Sequence, residues 1–171
     1  GLSAYGSLVY LSRSSDVTSL QTLALVDRAG VAEPLNVPPA SYYSLRVSPD
    51  GTQVVVASDD NDPNERLATI WVYDLSGDTA IRQLTFDGRN GAPIWTPDGE
   101  WITFISNRDA EQPANTGSIY RTRVDGSGLA ERLTTAEAGH RHVPASYSHD
   151  GRLFFRDRLR GQTGVWTLSS E

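Results

Sequence analysis

At 171 residues, with 38% hydrophobic and 21% charged residues, the chain has the length and composition of a folded protein with a substantial core. A formal net charge of −6 and a pI near 5.0 exclude the broad basic field that draws proteins onto nucleic acid or anionic lipid. With no cysteine there are no disulfides, thiolate zinc sites or cysteine nucleophiles, and no apolar run approaches the roughly 20 residues that cross a bilayer, so membrane insertion is not expected.

In chain order, "YGSLVYLS" from Tyr5 reads as a glycine turn and a strand, followed by "LALVDRAG" and "AEPLN". "SPDGTQVVVAS" begins at Ser48, "TPDGEWITFIS" at Thr96 and "SHDGRLFFRD" at Ser148, so the phrase returns after 48 and then 52 residues. A second phrase keeps step with it: Leu35 in "AEPLN", Leu84 in "RQLT" and Leu133 in "ERLT" are 49 residues apart both times. A third, "LALVDRAG", "IWVYDLSG", "IYRTRVDGSG" and "VWTLSS", falls between them. Three phrases in constant order define a repeat of about 50 residues, with boundaries near 1–36, 37–85, 86–134 and 135–171.

Within a repeat, hydrophobicity alternates with period two, as in Trp101, Thr103 and Ile105 against Ile102, Phe104 and Ser106. No segment holds a 3.6-residue period for three turns, so the fold class is all-β. The Pro-Asp-Gly turn has a physical reason. Proline presets φ, aspartate bonds its own backbone, and glycine takes the positive φ that costs a side-chained residue about 1 kcal/mol or more. Each repeat then reads as four antiparallel strands, inner A, then B, C and outer D, which is one blade of a β-propeller. In the second repeat A is Tyr42 to Ser48, B Gln53 to Ser58, C Thr69 to Leu75 and D Ala80 to Thr85; the third runs from Ala92 to Thr134. The first repeat lacks strand A and the fourth lacks strand D, leaving about three and a half to four blades.

"RQLTFDGRNGAPIWTPDGEWITFISNRD…SIYRTRVDGSGLAERLT" resembles the PD40, or TolB-like, β-propeller repeat. "TLALVDRAG…EPLNVPPASYYSLRVSPDG" is similar to the version appended to bacterial receptor-type serine/threonine kinases. The resemblance covers essentially the whole chain. It implies a non-catalytic propeller that binds peptides or proteins, usually outside the cytoplasm, or accompanies a catalytic domain in cis. The chain departs from the pattern at His149, which replaces the proline of the turn, and in the first repeat, which lacks the turn motif. No Gly-rich loop, His-Arg-Asp or Asp-Phe-Gly signature is present, so no kinase activity carries over.

A row of about four blades leaves two apolar faces and unpaired edges to be covered. A second copy, in a two-fold dimer forming an eight-bladed ring, or the rest of a longer propeller is the expected partner. The start at Gly1 without any methionine points to a piece of something longer. The expected roles are a binding and assembly module, an accessory, sensor or gating propeller of a receptor kinase or prolyl-oligopeptidase-like hydrolase, or a purely structural self-associating repeat. The location expected is extracytoplasmic, in a bacterium.

Recognition is expected on the face carrying the B–C and D–A loops, "DDNDPNERLA", "NRDAEQPANTG", "FDGRNG" and "AEAGHRH", because long loops on a rigid scaffold carry binding groups. The candidate ligand-binding residues are Arg46, Arg89, Asn90, Arg108, His140, Arg141 and His142. The arginines have the reach to meet a carboxylate, with salt bridges between blades as the alternative. His140 and His142, two apart, share one side of a strand and are weighed as metal ligands against a structural role, such as a hydrogen bond from His142 to a neighbouring blade. Asp59, Asp60, Asn61 and Asp62 supply oxygens but lack the spacing of an EF-hand, so a solvated loop is preferred. Trp71, Trp95, Trp101 and Trp166 are expected to pack between blades. No Gly-x-Ser-x-Gly elbow or paired carboxylate is visible, and neither enzyme chemistry nor a cofactor nor a metal is expected.

Overall fold

The computed structural model describes residues 8–13, 20–59, 68–76, 81–109 and 116–169, the first of these as backbone only. Tyr5, Asp60, Asn61, Asp62 and Ala80, which enter the sequence reading, lie outside them. Four antiparallel sheets follow one another along the chain. The first contains β1 (Leu8–Arg13), β2 (Gln21–Val26) and β3 (Ala32–Pro34). The second contains β4 (Ser41–Val47), β5 (Gln53–Asp59), β6 (Ala68–Asp74) and β7 (Arg82–Gln83). The third contains β8 (Asn90–Trp95), β9 (Trp101–Ser106), β10 (Ser118–Arg123) and β11 (Glu131–Arg132). The fourth contains β12 (Arg141–Tyr147), β13 (Leu153–Leu159) and β14 (Gln162–Leu168). Within each sheet every strand pairs with its sequence neighbours, and among the described residues the first sheet has no inner strand and the fourth no outer one. No helix among them is long and apolar enough to cross a membrane.

Period-two alternation decides the packing, because successive side chains point to opposite faces of a sheet. Val54 and Val56 of β5 face the first sheet and join Leu23, Tyr42, Leu45 and Tyr73 in one buried cluster. Val55, between them, faces the other way and meets Ile102, Phe104 and Trp95 of the third sheet. The far side of the third sheet offers Ile94 and Ile119 to Leu153 and Phe155 of the fourth. The core is thus three interfaces between consecutive sheets. Polar ties reinforce them: Trp95 Nε1 donates to the Arg46 carbonyl at 3.1 Å, and Thr103 Oγ1 meets the Tyr147 hydroxyl at 2.7 Å.

The repeated turn owes as much to its first residue as to Pro-Asp-Gly. Ser48 Oγ donates to Asp50 at 2.5 Å and accepts the Gln53 N–H at 2.9 Å; Thr96 does the same for Asp98 at 2.5 Å and Trp101 at 3.0 Å. Ser148 donates to Asp150 and accepts from the Arg152 N–H at 3.0 Å. The hydroxyl therefore ties the turn to the first residues of the next strand. This bond is the main reason that the carboxyls of Asp50, Asp98 and Asp150 are held below the usual aspartate range. His149 does not break the turn, since Gly151 N reaches the Ser148 carbonyl at 3.0 Å, as Gly51 and Gly99 reach Ser48 and Thr96.

The outer strands are shorter than the sequence suggests. β7 is Arg82–Gln83 rather than Ala80 to Thr85, because the ladder passes to other groups after two residues. Leu84 N donates to the Ile70 carbonyl at 2.8 Å, and the Ile70 N–H is then taken by the Thr85 side-chain oxygen at 2.9 Å. Leu133 and Thr134 repeat this against Ile119, at 2.8 and 2.9 Å, which accounts for the recurring Leu-Thr phrase. The fourth sheet differs in another way: its B–C connection is the two-residue turn Arg160-Gly161, with φ of 40° and 89°, instead of a long loop.

A candidate ligand-binding site at the ends of the inner strands

The starts of the inner strands β4, β8 and β12 meet the ends of β5, β9 and β13 at the face where the B–C and D–A connections lie, and they enclose a cavity of about 410 Å³. Its wall comes from Tyr43 and Ser44 of β4, Asn90, Gly91 and Ala92 of β8, and Arg141 and Val143 of β12. Asp59, Ile105, Asn107 and Arg158 come from the second strands or just beyond them, and Arg89, Thr116 and Gly117 from the adjoining connections.

Two irregularities shape this wall. The pairing of β4 with β5 skips between Tyr43 and Arg46, and that of β8 with β9 between Gly91 and Ile94. Ser44 and Ala92, each four residues before the turn hydroxyl, take φ of 53° and 49°. A left-handed conformation costs a non-glycine residue about 1–2 kcal/mol, and bulges of this kind re-aim side chains beside functional sites. Pro144 holds the equivalent place in β12, where its ring fixes φ negative, and the irregularity there is a single residue between Pro144 and Ser146. Gly117 supplies the close approach between the third and fourth sheets. Its N–H reaches the His140 carbonyl at 3.0 Å and its carbonyl accepts the His142 N–H at 2.8 Å, while a Cβ would lie 2.7 Å from Ile105 Cδ1.

Of the seven residues singled out in the sequence, Arg89, Asn90 and Arg141 line the cavity. Arg89 lies 3.7 Å from Asp59, both about half exposed. Asn90 is a structural clamp: its amide nitrogen is within 3.1 Å of the Ala68, Asp87 and Gly88 carbonyls, and its oxygen takes a bond from Arg108 at 3.3 Å.

The other four lie elsewhere. Arg46 is exposed outside the cavity, with Nη1 on the Leu45 carbonyl at 2.7 Å. Arg108 is spent on Ser106, Asp87 and the faces of Phe104 and Tyr120. His140 Nδ1 sits 2.9 Å from Asp157, and His142 Nδ1 meets Thr134 Oγ1 at 2.9 Å, with its ring tilted against Phe155. Burial holds the His142 pKa below that of a free imidazole, and His140 adds to the effect against the opposing pull of Asp157. Among the described residues no group of three or more His, Asp or Glu side chains is arranged for a metal ion.

The tryptophans divide. Trp95 and Trp71 pack in the inter-sheet clusters, Trp101 carries Arg121 and Arg123 at 4.4 and 4.6 Å over its ring, and Trp166 is 58% exposed rather than packed between blades. Sequence reasoning missed Arg158, Ser44 and Ala92. Spacing from the turn phrase aligns Arg158 with Ser58 and Ser106; the fourth turn returns one residue sooner, Ser148 N–H reaching the Arg152 carbonyl where Thr96 N–H reaches that of Trp101, so only the ladder puts Arg158 in the place of Asp59.

The fold matches solved structures along nearly its whole length. TolB from Acinetobacter baumannii superimposes with a TM-score of 0.73 at 23% identity, covering 97% of this chain and 39% of that protein. The chain has the TolB-like β-propeller fold. A TolB candidate from Agrobacterium tumefaciens gives 0.72 at 22% identity, over 98% of this chain and 64% of the other. A puromycin-hydrolyzing peptidase of Mycobacterium tuberculosis gives 0.64 at 18%, over 94% and 28%. By sequence, an uncharacterised protein of Agrobacterium fabrum is 28% identical over 154 residues, 90% of this chain and 49% of that protein. The chain therefore spans about half of that relative. No protein-family model matches, and the narrower resemblance to kinase-appended propellers is not confirmed by these neighbours.

Proposed function

We propose that the chain is a non-catalytic binding and assembly module, part of a TolB-like propeller, which takes a peptide or small ligand in the cavity at the inner-strand ends. The observation that carries this reading is the cavity of about 410 Å³, within the range of ligand sites, whose wall is bent by strained residues at the same place in two repeats. Assembly is supported by the fourth sheet. Its last strand, β14, has no outer neighbour among the described residues and exposes Val165 and Trp166, as an edge awaiting a further strand or a second copy would. An extracytoplasmic location follows the TolB-like resemblance.

The test of the binding role is chemical-shift mapping of the labelled chain with a panel of tripeptides. Shifts concentrated at Tyr43, Ala92 and Val143 are expected. Shifts confined to the opposite end, at Gly51, Gly99 and Gly151, would overturn the site.

A second reading is an accessory propeller of an enzyme, which the likeness to the Mycobacterium tuberculosis peptidase favours. A hydrolase or kinase domain encoded beside this segment would decide for it.

A further inference from the structure

We infer that the cavity selects a ligand bearing a carboxylate, held between Arg141 and Arg158; this rests on the proposed binding role of the same cavity. Arg141 and Arg158 stand directly opposite each other on β12 and β13, and both line the cavity. Like charges directly across an antiparallel ladder repel, so such a pair persists at a cost unless an anion lies between them. Neither guanidinium has an ion pair among the described residues. The neighbouring carboxylate, Asp157, is one residue away and so on the opposite face of the strand, where His140 holds it at 2.9 Å.

The remaining charges lining the cavity are Arg89 and Asp59, already 3.7 Å apart. The cavity thus carries an unneutralised positive pair inside a chain whose net charge is −6. Two guanidinium forks at facing positions on adjacent strands, both lining the cavity, suit the two oxygens of a carboxylate, which accepts paired N–H donors. The two-residue turn after β13 leaves no long loop over Arg158, so the pair is open to an incoming chain end. In the ladder the place across from the start of the inner strand holds Asp59 in the second sheet, opposite Ser41, and Arg158 here, opposite Arg141, so the positive charge belongs to the fourth sheet and not to the repeat pattern.

The experiment titrates the intact chain with tri-alanine, tri-alanine amide and inorganic phosphate, followed by amide and arginine Nε–H shifts. Tri-alanine should bind at the cavity and its amide at least about tenfold more weakly, since a hydrogen bond to a charged group is worth more than one to a neutral one. Arg158→Gln and, separately, Arg141→Gln should remove that difference, while Arg132→Gln, outside the cavity, should leave it. Both cavity variants replace exposed strand residues, and an unchanged amide spectrum elsewhere shows that they fold. Equal binding of acid and amide in the cavity would sink the carboxylate inference and leave the binding role standing. No shift at the cavity with either peptide would sink both. Phosphate binding more tightly than tri-alanine would also overturn the assignment, in favour of a phosphate-bearing ligand.

Discussion

The two faces of the fourth sheet follow different rules. Toward the third sheet, Leu153 and Phe155 repeat the pattern of Ile102 and Phe104 and are buried in the same way. On the other face, the places of Val55 and Ala57, or of Thr103 and Ile105, are taken by Phe154 and Arg156, with exposed Val165 across the ladder from Arg156. The contrast teaches that packing against the preceding sheet is what the repeat preserves. The far face instead carries a charge, Arg156, where the earlier sheets bury Ala57 and Ile105.

The sharpest break of this comparison sets a substitution in a buried inter-sheet face against one on the far face of the fourth sheet. Phe104→Ala, at the fully buried interface of the second and third sheets, should lose about 3–5 kcal/mol in urea denaturation, whereas Val165→Thr should change the stability of the chain by no more than about 0.5 kcal/mol. Equal effects at a concentration where the chain is monomeric would contradict the comparison, whereas a Val165→Thr loss that grows with chain concentration would report burial of the far face against a second copy. Next in size is Thr85→Val, which leaves the buried Ile70 N–H without its acceptor. A loss of about 1–3 kcal/mol and faster hydrogen exchange at Ile70 are expected, with Thr134→Val doing the same to Ile119.

A smaller effect separates the interfaces by pH. Burial lowers the folded pKa of His142, so the unfolded chain binds the proton more readily, and stability falls as pH drops below about 6.5 toward the folded value. His142→Gln should flatten that limb in denaturation midpoints between pH 7.5 and 5. At lower pH, Asp98 works by the same linkage: its depressed pKa contributes stability above about 3.9 that is lost as pH falls through the folded value, and Thr96→Val should weaken this dependence. The smallest expected change is a gain. His149→Pro restores the residue found in the other two turns; the Gly151 N–H to Ser148 carbonyl bond is common to all three, but this turn meets its next strand one residue sooner, at Arg152, so the gain from restricting the unfolded chain should be no more than about 0.4–1 kcal/mol in denaturation midpoints.

Much of the architecture is legible in the sequence because both of its signals are local. Period-two alternation in "QVVVAS" and "WITFIS" assigns Val55 and Phe104 to opposite neighbours, and the Asp-Gly turns locate the strand junctions. The lengths of the outer strands were not legible, since the Thr85 hydroxyl imitates a ladder acceptor and ends the pairing early. The site was only partly legible. Arg89 and Arg141 stand where loop and strand meet, but Arg108 looks identical in sequence and is turned instead onto Phe104 and Tyr120. Ser44 and Ala92 carry no sequence mark at all, because a positive φ at a non-glycine residue is imposed by the bulge around it.

The central claim of the proposed assembly role is that these sheets bury their faces against further sheets, with the edge formed by β14 meeting a second copy. Sedimentation equilibrium at micromolar concentration tests it most directly. The account predicts a species of twice the 18.6 kDa chain mass, weakened by a charged residue in place of Val165. A stable monomer at 18.6 kDa, with the amides of β13 and β14 protected from exchange, would contradict it.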